Sequence, residues 1–412
     1  MTATVKKLPI IVALGSTQTL GFGSTLYLPA ILSAPMAEEF GIPTGWAFGA
    51  FSLALVVAAL LGPMAGARID RFGGRNILTV SSLVFALGLG LLGLSNGMIA
   101  MCMAWLVIGA GMAMGLYESA FATLAGIFGR GARGPITGIT LIAGFASTIC
   151  WPISAGLEIE YGWRTACFFW AAMHLFVGLP LNRLVIPAGN YKQIAPAPEP
   201  ADSADNTTLK ADRTDRAANP GYFTAPMILL AFVFAASWFI ATAMAAHLPR
   251  LLQISGMDTA DAIIAASLVG PAQVAGRLLE FGVLQRMHPL ISARMAGFAH
   301  PLGASLLLIF AGPVGMIFTS LHGAGNGILT IAKGTLPLAL FGPVGYGLRQ
   351  GFLMAPSRFA QAAAPFLFGL LIDGYGVRAL FLTIGLGLSS CLAMMFLKTD
   401  TSKNDETDDK TA

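Results

Sequence analysis

The chain has 412 residues, 56% of them hydrophobic and only 11% charged, where soluble globular domains carry about 25% charged residues. That balance excludes an ordinary soluble protein. The formal net charge of +4 gives no ground for a nucleic-acid partner, because in a lipid-embedded chain charge matters loop by loop rather than in total; the expected partner is the lipid bilayer.

The first apolar run follows Lys6 and Lys7 and continues to Leu32 without a small-residue cleavage signature, so it reads as a retained span. A spanning helix needs about 20 mainly apolar residues, since lipid offers no partner to an exposed N–H or C=O group. On that measure the chain carries twelve spans, over 10–32, 46–65, 76–95, 98–128, 135–157, 163–184, 224–247, 260–279, 289–311, 314–341, 351–372 and 379–397. The segment 187–222 is polar and rich in Pro, Ala and Asp, too poor in apolar residues to fold, and is expected to be a flexible linker. It divides the chain into an N-terminal six-helix bundle over 1–186 and a C-terminal one over 223–398, followed by a polar tail over 399–412 expected to be disordered. Cys102, Cys150, Cys167 and Cys391 all fall in apolar runs, where cysteine is ordinarily a small buried hydrophobe rather than a disulfide partner or metal ligand.

Lys and Arg concentrate in short cytoplasmic loops. Arg164, Arg250 and Arg378 fall on one side, Lys333 and Arg358 inside spans, and the rest of the 24 Lys and Arg on the other side. The linker and both termini are therefore expected in the cytoplasm, with the protein in the cell inner membrane.

The two halves repeat each other weakly. Gly156 to Arg164 at the end of the fifth span returns as Gly369 to Arg378 at the end of the eleventh with one residue inserted, and Pro152 and Pro365 precede them at equal distance. Gly109-Ala-Gly111 returns as Gly323-Ala-Gly325, and Tyr27-Leu-Pro29 as His247-Leu-Pro249. The pairs keep their order at offsets of 213 to 220 residues, which points to two homologous bundles in tandem.

Between the second and third spans stands Gly66-Ala-Arg-Ile-Asp70-Arg71-Phe-Gly73-Gly74-Arg75, a tight turn of one acid and three bases. Glycine is expected there for close backbone approach or positive φ, and the acid is placed to meet basic groups or a helix N-terminus. The turn resembles the loop motif of the major facilitator superfamily, Gly-x-x-x-Asp-Arg-x-Gly-Arg-Arg, departing from it at Gly74, where a base is usual. The second half keeps only the glycine-to-acid spacing, in Gly276 to Glu280. The resemblance implies an all-α membrane fold of twelve helices in two six-helix bundles. It also implies a cytoplasmic gate formed by Gly66, Asp70, Arg71, Gly73, Arg75 and Glu280, and a central cavity between the halves lined by spans 1, 2, 4, 5, 7, 8, 10 and 11. The plainer alternative for the arginines is that they only set topology.

Three charged side chains lie well within spans: Glu118, Lys333 and Arg358. Charge is costly there and calls first for a functional reading. Helical spacing groups Asn326, Thr330 and Lys333 on one face, Arg358 and Gln361 on another, and Gln18 and Thr25 on a third. Glu118 corresponds through the repeat to position 332, beside Lys333, so a Glu118–Lys333 salt bridge across the cavity is one expectation, either structural or part of transport. Arg358, with its planar fork of donors, is a candidate anchor for an acidic or carbonyl group, and Tyr27, Tyr117 and Trp151 are candidates to stack a flat solute or simply to pack. His247, Trp46 and Trp163 read as interfacial residues, and His300, on a peripheral span by the resemblance, reads as structural.

No phosphate-binding loop, no metal-ligand cluster and no nucleophile with a base stands out, so neither an enzyme nor a cofactor or metal is expected. The reading is a secondary or facilitative transporter working by alternating access, a monomer, moving a small neutral or weakly anionic organic solute. That solute is aromatic or vitamin-like, as riboflavin is, or a monocarboxylate, with protons or another ion as coupling partner in symport. The fifth span lacks the Gly-Pro-x-x-Gly-Gly element that marks drug/proton exchangers of the family it resembles, which favours uptake. An exporter of the same fold stays open, and more remotely a non-transporting receptor or membrane enzyme.

Overall fold

The computed structural model describes residues 6–188 and 224–397; the expected linker lies almost wholly, and the tail wholly, outside them. Among the described residues there are sixteen α-helices and no strand, and helix occupies each of the twelve apolar runs. The first half comprises α1 (Lys7–Ser24), α2 (Pro29–Glu39), α3 (Thr44–Phe72), α4 (Gly74–Gly93), α5 (Met98–Gly115), α6 (Tyr117–Phe128), α7 (Arg133–Ala143), α8 (Ala146–Tyr161) and α9 (Trp163–Met173). The second comprises α10 (Ala225–Ile254), α11 (Thr259–Ser267), α12 (Val269–Gly282), α13 (Pro289–Phe310), α14 (Gly315–Phe341), α15 (Tyr346–Tyr375) and α16 (Leu380–Phe396).

Nine stretches of the described residues are long and apolar enough to cross a membrane, and four of them, Lys7–Glu39, Met98–Tyr161, Thr259–Gly282 and Tyr346–Phe396, run through more than one of these α-helices. The 27-residue α14 is not among the nine, because His322, Asn326 and Lys333 dilute its apolar content. Large side chains such as Ile99, Phe176, Leu184 and Phe366 stand exposed on the outside of the bundles, a surface suited to hydrocarbon.

Four expected spans are broken, and two of the breaks offer a backbone carbonyl to a distant side chain, Tyr27 to Trp151 and Gly115 to Gln18. Between α1 and α2 the chain turns over Thr25–Leu28 and restarts on Pro29, a residue suited to a first helical turn because it has no N–H to satisfy. Leu116, with φ −86° and ψ −171°, is extended and separates α5 from α6. Gly144 and Phe145 separate α7 from α8, and Leu268 separates α11 from α12.

Each half has its own core. That of the first half runs from Ile10 to Ile186 and takes in Leu338 and Tyr346 from the second, whose own core is divided into clusters around Phe318 and Phe368 and around Phe234 and Met394. The halves meet chiefly where α3 runs along α15, with further packing of α6 and α7 against α12, α14 and α15. The later part of α6 and the start of α7 lie toward the end of the molecule that carries Asp70, with Thr123 against Gly74 and Arg133 on Glu280. The continuation α8 packs instead on α1, α2 and α9 of its own half. The halves are thus joined at the Asp70 end.

Candidate functional site

The closest approach between halves is backbone to backbone. A Cβ on Gly66 would lie 2.0 Å from the Gly347 carbonyl oxygen, and one on Gly347 would lie 2.5 Å from that of Gly66, so only glycine at both positions lets α3 and α15 touch. That contact brings the Asp70 carboxylate to the first turn of α15, where Gly347 N–H donates to Oδ1 and Leu348 N–H to Oδ2, both at 2.8 Å. These amides are among those that a helix N-terminus leaves without an internal acceptor, and the helix dipole adds to the attraction. Of the partners expected for the acid, the helix terminus supplies the hydrogen bonds and Arg349 acts on the carboxylate through its charge, while Arg71 lies beside the Phe72 ring. Gly73 has φ +80°, the positive value expected in this turn.

Glu280 occupies the matching position in the second half and is buried. It accepts from Arg133 Nη2 at 3.2 Å, while Arg133 Nη1 donates to the Met287 carbonyl at 2.7 Å. Arg133 is the first residue of α7. Each motif acid thus reaches the start of the corresponding helix in the opposite half, one through backbone amides and the other through a guanidinium.

Above this junction lies a buried charge cluster. The break at Leu116 makes Glu118 a first-turn residue of α6, an electrostatically suitable place for a carboxylate. Its partner across the halves is Arg358, at 2.8 Å, which also donates to Gln361 at 3.0 Å. This corrects the expected Glu118–Lys333 pair. Lys333 instead rests 4.1 Å from the centre of the Trp238 ring, and its ammonium has no hydrogen-bond partner among the described residues. The repeat matched the two residues in depth but could not specify which α14 or α15 base faces α6.

Arg277 is a further buried charge of this cluster, missed because it stands inside the degenerate second copy of the loop motif. Its guanidinium lies on the bare backbone of Gly144, where a Cβ would meet Nη1 at 2.1 Å. Nη2 reaches only Gln273, at 3.4 Å, and Nε and Nη1 have no partner among the described residues. Trp238 was also missed, since a tryptophan in an apolar run carries no signal apart from packing.

The remaining expected site residues divide. Gln18 is wholly buried and donates to the Gly115 carbonyl freed by the α5–α6 break, at 2.8 Å; Thr25, equally buried, donates to Gly21 at 2.6 Å. Both therefore serve the first half's own backbone in this conformation. Thr330 donates to Asn326 O within α14, and Asn326 borders a cavity of about 30 Å³ with Ser237, His300 and His322, away from Glu118. Tyr117 stacks on Phe121 at 5.1 Å and packs on Phe22 at 4.5 Å. Trp151, 42% exposed, donates to the Tyr27 carbonyl at 3.0 Å and meets that ring edge-on at 5.7 Å. His247 is no mere interfacial residue: its Nε2 is 2.7 Å from the Pro365 carbonyl oxygen, clipping α10 to α15. All four cysteines are free thiols, and no group of three or more potential metal ligands occurs among the described residues.

The family model of the Major Facilitator Superfamily matches residues 14–319. Among solved structures, the proton:xylose symporter bound to 6-bromo-6-deoxy-D-glucose is similar with a TM-score of 0.69 at 14% identity, covering 95% of this chain and 94% of that one. The fucose:proton symporter of E. coli has a TM-score of 0.69 at 14% identity, covering 94% of this chain and 98% of that one. A further structure of that symporter, in the outward conformation, has a TM-score of 0.68 at 14% identity and the same coverage. At such identity these likenesses concern the fold.

Proposed function

Because the chain belongs to the major facilitator superfamily, we propose that it carries a small organic solute across the cytoplasmic membrane by alternating access, with uptake as the direction. The observation that carries this reading is the one-sided junction. The halves are clamped by Asp70 on the α15 terminus and by Arg133 on Glu280, with the Glu118–Arg358 pair just above and α8 packed on its own half. In this reading the Asp70 end is cytoplasmic, both termini lie in the cytoplasm, and the conformation is the outward-facing one. The solute enters from outside and meets residues of α6, α14 and α15. The clamps then part, and the halves rock about the site.

The reading extends to coupling. Glu118 and Arg358 belong to different halves, so parting the halves at this depth separates them and frees the carboxylate to take a proton. The similar symporters are proton-coupled by their names, which supports testing protons first. In proteoliposomes loaded with a solute that the wild type accumulates, Glu118→Gln is expected to abolish accumulation driven by a pH gradient while solute exchange continues. Loss of both would return Glu118 to a structural role. Right-side-out vesicles that only extrude the solute would replace uptake by export and leave the carrier standing.

A further inference from the structure

We infer that the solute is an organic carboxylate, held by Lys333 and Arg277 beside the indole of Trp238. The inference rests on the carrier reading and narrows its substrate class.

The first ground is charge balance. Among the described residues the cluster holds three cations, Arg277, Lys333 and Arg358, but one carboxylate, Glu118, and that carboxylate is taken by Arg358. Lys333 is 4% and Arg277 6% exposed. The charges of Arg358, Glu118 and Arg277 all act on Lys333, so these groups share one electrostatic site. A buried cation normally finds a carboxylate or a set of acceptors, because water's solvation has been removed. Two here find neither. The face of Trp238 compensates part of the Lys333 charge, but an ammonium also has three N–H groups to satisfy.

The second ground is polarity of hydrogen bonding, which is independent of charge. The unpartnered atoms of these three side chains, Lys333 Nζ, Arg277 Nε and Nη1 and the indole Nε1 of Trp238, are all donors, and the unpartnered acceptors nearby, Gln350 Oε1 on the side chain bonded to the Lys333 carbonyl and Glu280 Oε2 one turn from Arg277, reach none of them. Donors alone cannot satisfy one another. A neutral polyol would bring as many donors as acceptors and leave the mismatch, whereas a carboxylate brings two oxygens and no donor, matching hydrogen bonding and charge together. The bare backbone of Gly144 under the Arg277 guanidinium keeps that group packed at the junction of α7 with α12 rather than free to fold back to the loop.

The test uses the full-length protein purified in detergent and followed by thermal unfolding. The probes are benzoate, phenylacetate, lactate and succinate, each paired with its neutral amide. At least one carboxylate is expected to raise Tm by several degrees at millimolar concentration while its amide does not. Lys333→Met, which keeps an apolar stem and removes the ammonium, is expected to weaken that carboxylate by about tenfold or more. In the empty protein Lys333→Met and Arg277→Met are each expected to leave Tm unchanged or raise it, since each removes an uncompensated buried charge. The inference is overturned if no carboxylate shifts the wild type, if the amides shift it equally, if Lys333→Met responds as the wild type does, or if the empty variants lose several degrees. A neutral compound that binds and is transported would remove the carboxylate and keep the carrier. A carboxylate that binds through Lys333 yet never crosses proteoliposomes would keep the site and remove the carrier.

Discussion

The two ends of the molecule hold their charges in opposite ways. At the end away from Asp70, Arg164 pairs with Glu39 inside the first half and Arg250 with Asp373 inside the second, all of them at least one-third exposed. At the Asp70 end the acids reach across: Asp70 to the amides of α15 and Glu280 to Arg133. Ion pairs confined to one half travel with it and do not resist separation of the halves, whereas those that cross must break. The asymmetry explains how one end can be shut and the other left to each bundle separately, with related sequence elements at both.

Gly66→Val should disturb this contrast most. The added Cβ would fall 2.0 Å from Gly347 O, an overlap with backbone that no rotamer relieves. Overpacking a tight contact costs about 1–3 kcal/mol or more, so closure of the Asp70 end is expected to be lost along with transport. Gly62→Ala is the control, because its Cβ has nothing nearer than Gly351 Cα at 4.0 Å. Disulfide cross-linking between cysteines placed at this end of α3 and α15 measures the difference; equal cross-linking in both variants would show that glycine contact does not set closure.

Asp70→Asn comes next. The amide oxygen still accepts one N–H, but the charge facing the helix terminus and one charge-assisted hydrogen bond are gone, together about 2 kcal/mol. If closure depends on this cap, the equilibrium moves toward opening at the Asp70 end by about thirtyfold. Accessibility of a single introduced cysteine near Arg349 to a membrane-impermeant reagent applied from that side reads the shift. An unchanged accessibility would show that α3–α15 packing alone holds the end closed.

How much of this was legible beforehand follows from the kind of signal involved. Lipid imposes long apolar runs, so hydropathy alone located helix at all twelve places, and the motif spacing pointed to Asp70 and Glu280. The breaks at Leu116 and Leu268 were not visible, since a leucine carries no mark of an extended backbone. Glu118 stood out as a charge in an apolar run, but its choice of Arg358 over Lys333 depends on helix rotation, which a repeat offset does not encode. Arg277 was hidden by position: three residues before Glu280, it looked like part of a loop, and only a side chain reaching back along α12 to Gly144 places it in the cluster. Trp238 had no sequence signal at all.

Glu280→Gln and Glu39→Gln have the smallest expected effects, and their difference sharpens the contrast between ends. At Glu280 the carboxylate is buried, but its Arg133 partner is 24% exposed and keeps its bond to Met287 O. A glutamine oxygen still accepts, so weakening of closure is held to about 1 kcal/mol. At Glu39 the carboxylate takes Arg164 and the Trp163 N–H in an exposed setting, where such pairs contribute little to stability and are screened by salt. The first change should still alter cross-linking at the Asp70 end. The second should alter neither that nor transport, and only slightly lower Tm, by less at high salt than at low. If Glu39→Gln shifted the conformational equilibrium as Asp70→Asn does, the pairs away from Asp70 would have to be coupled across the halves, and the division between crossing and confined charges would fail.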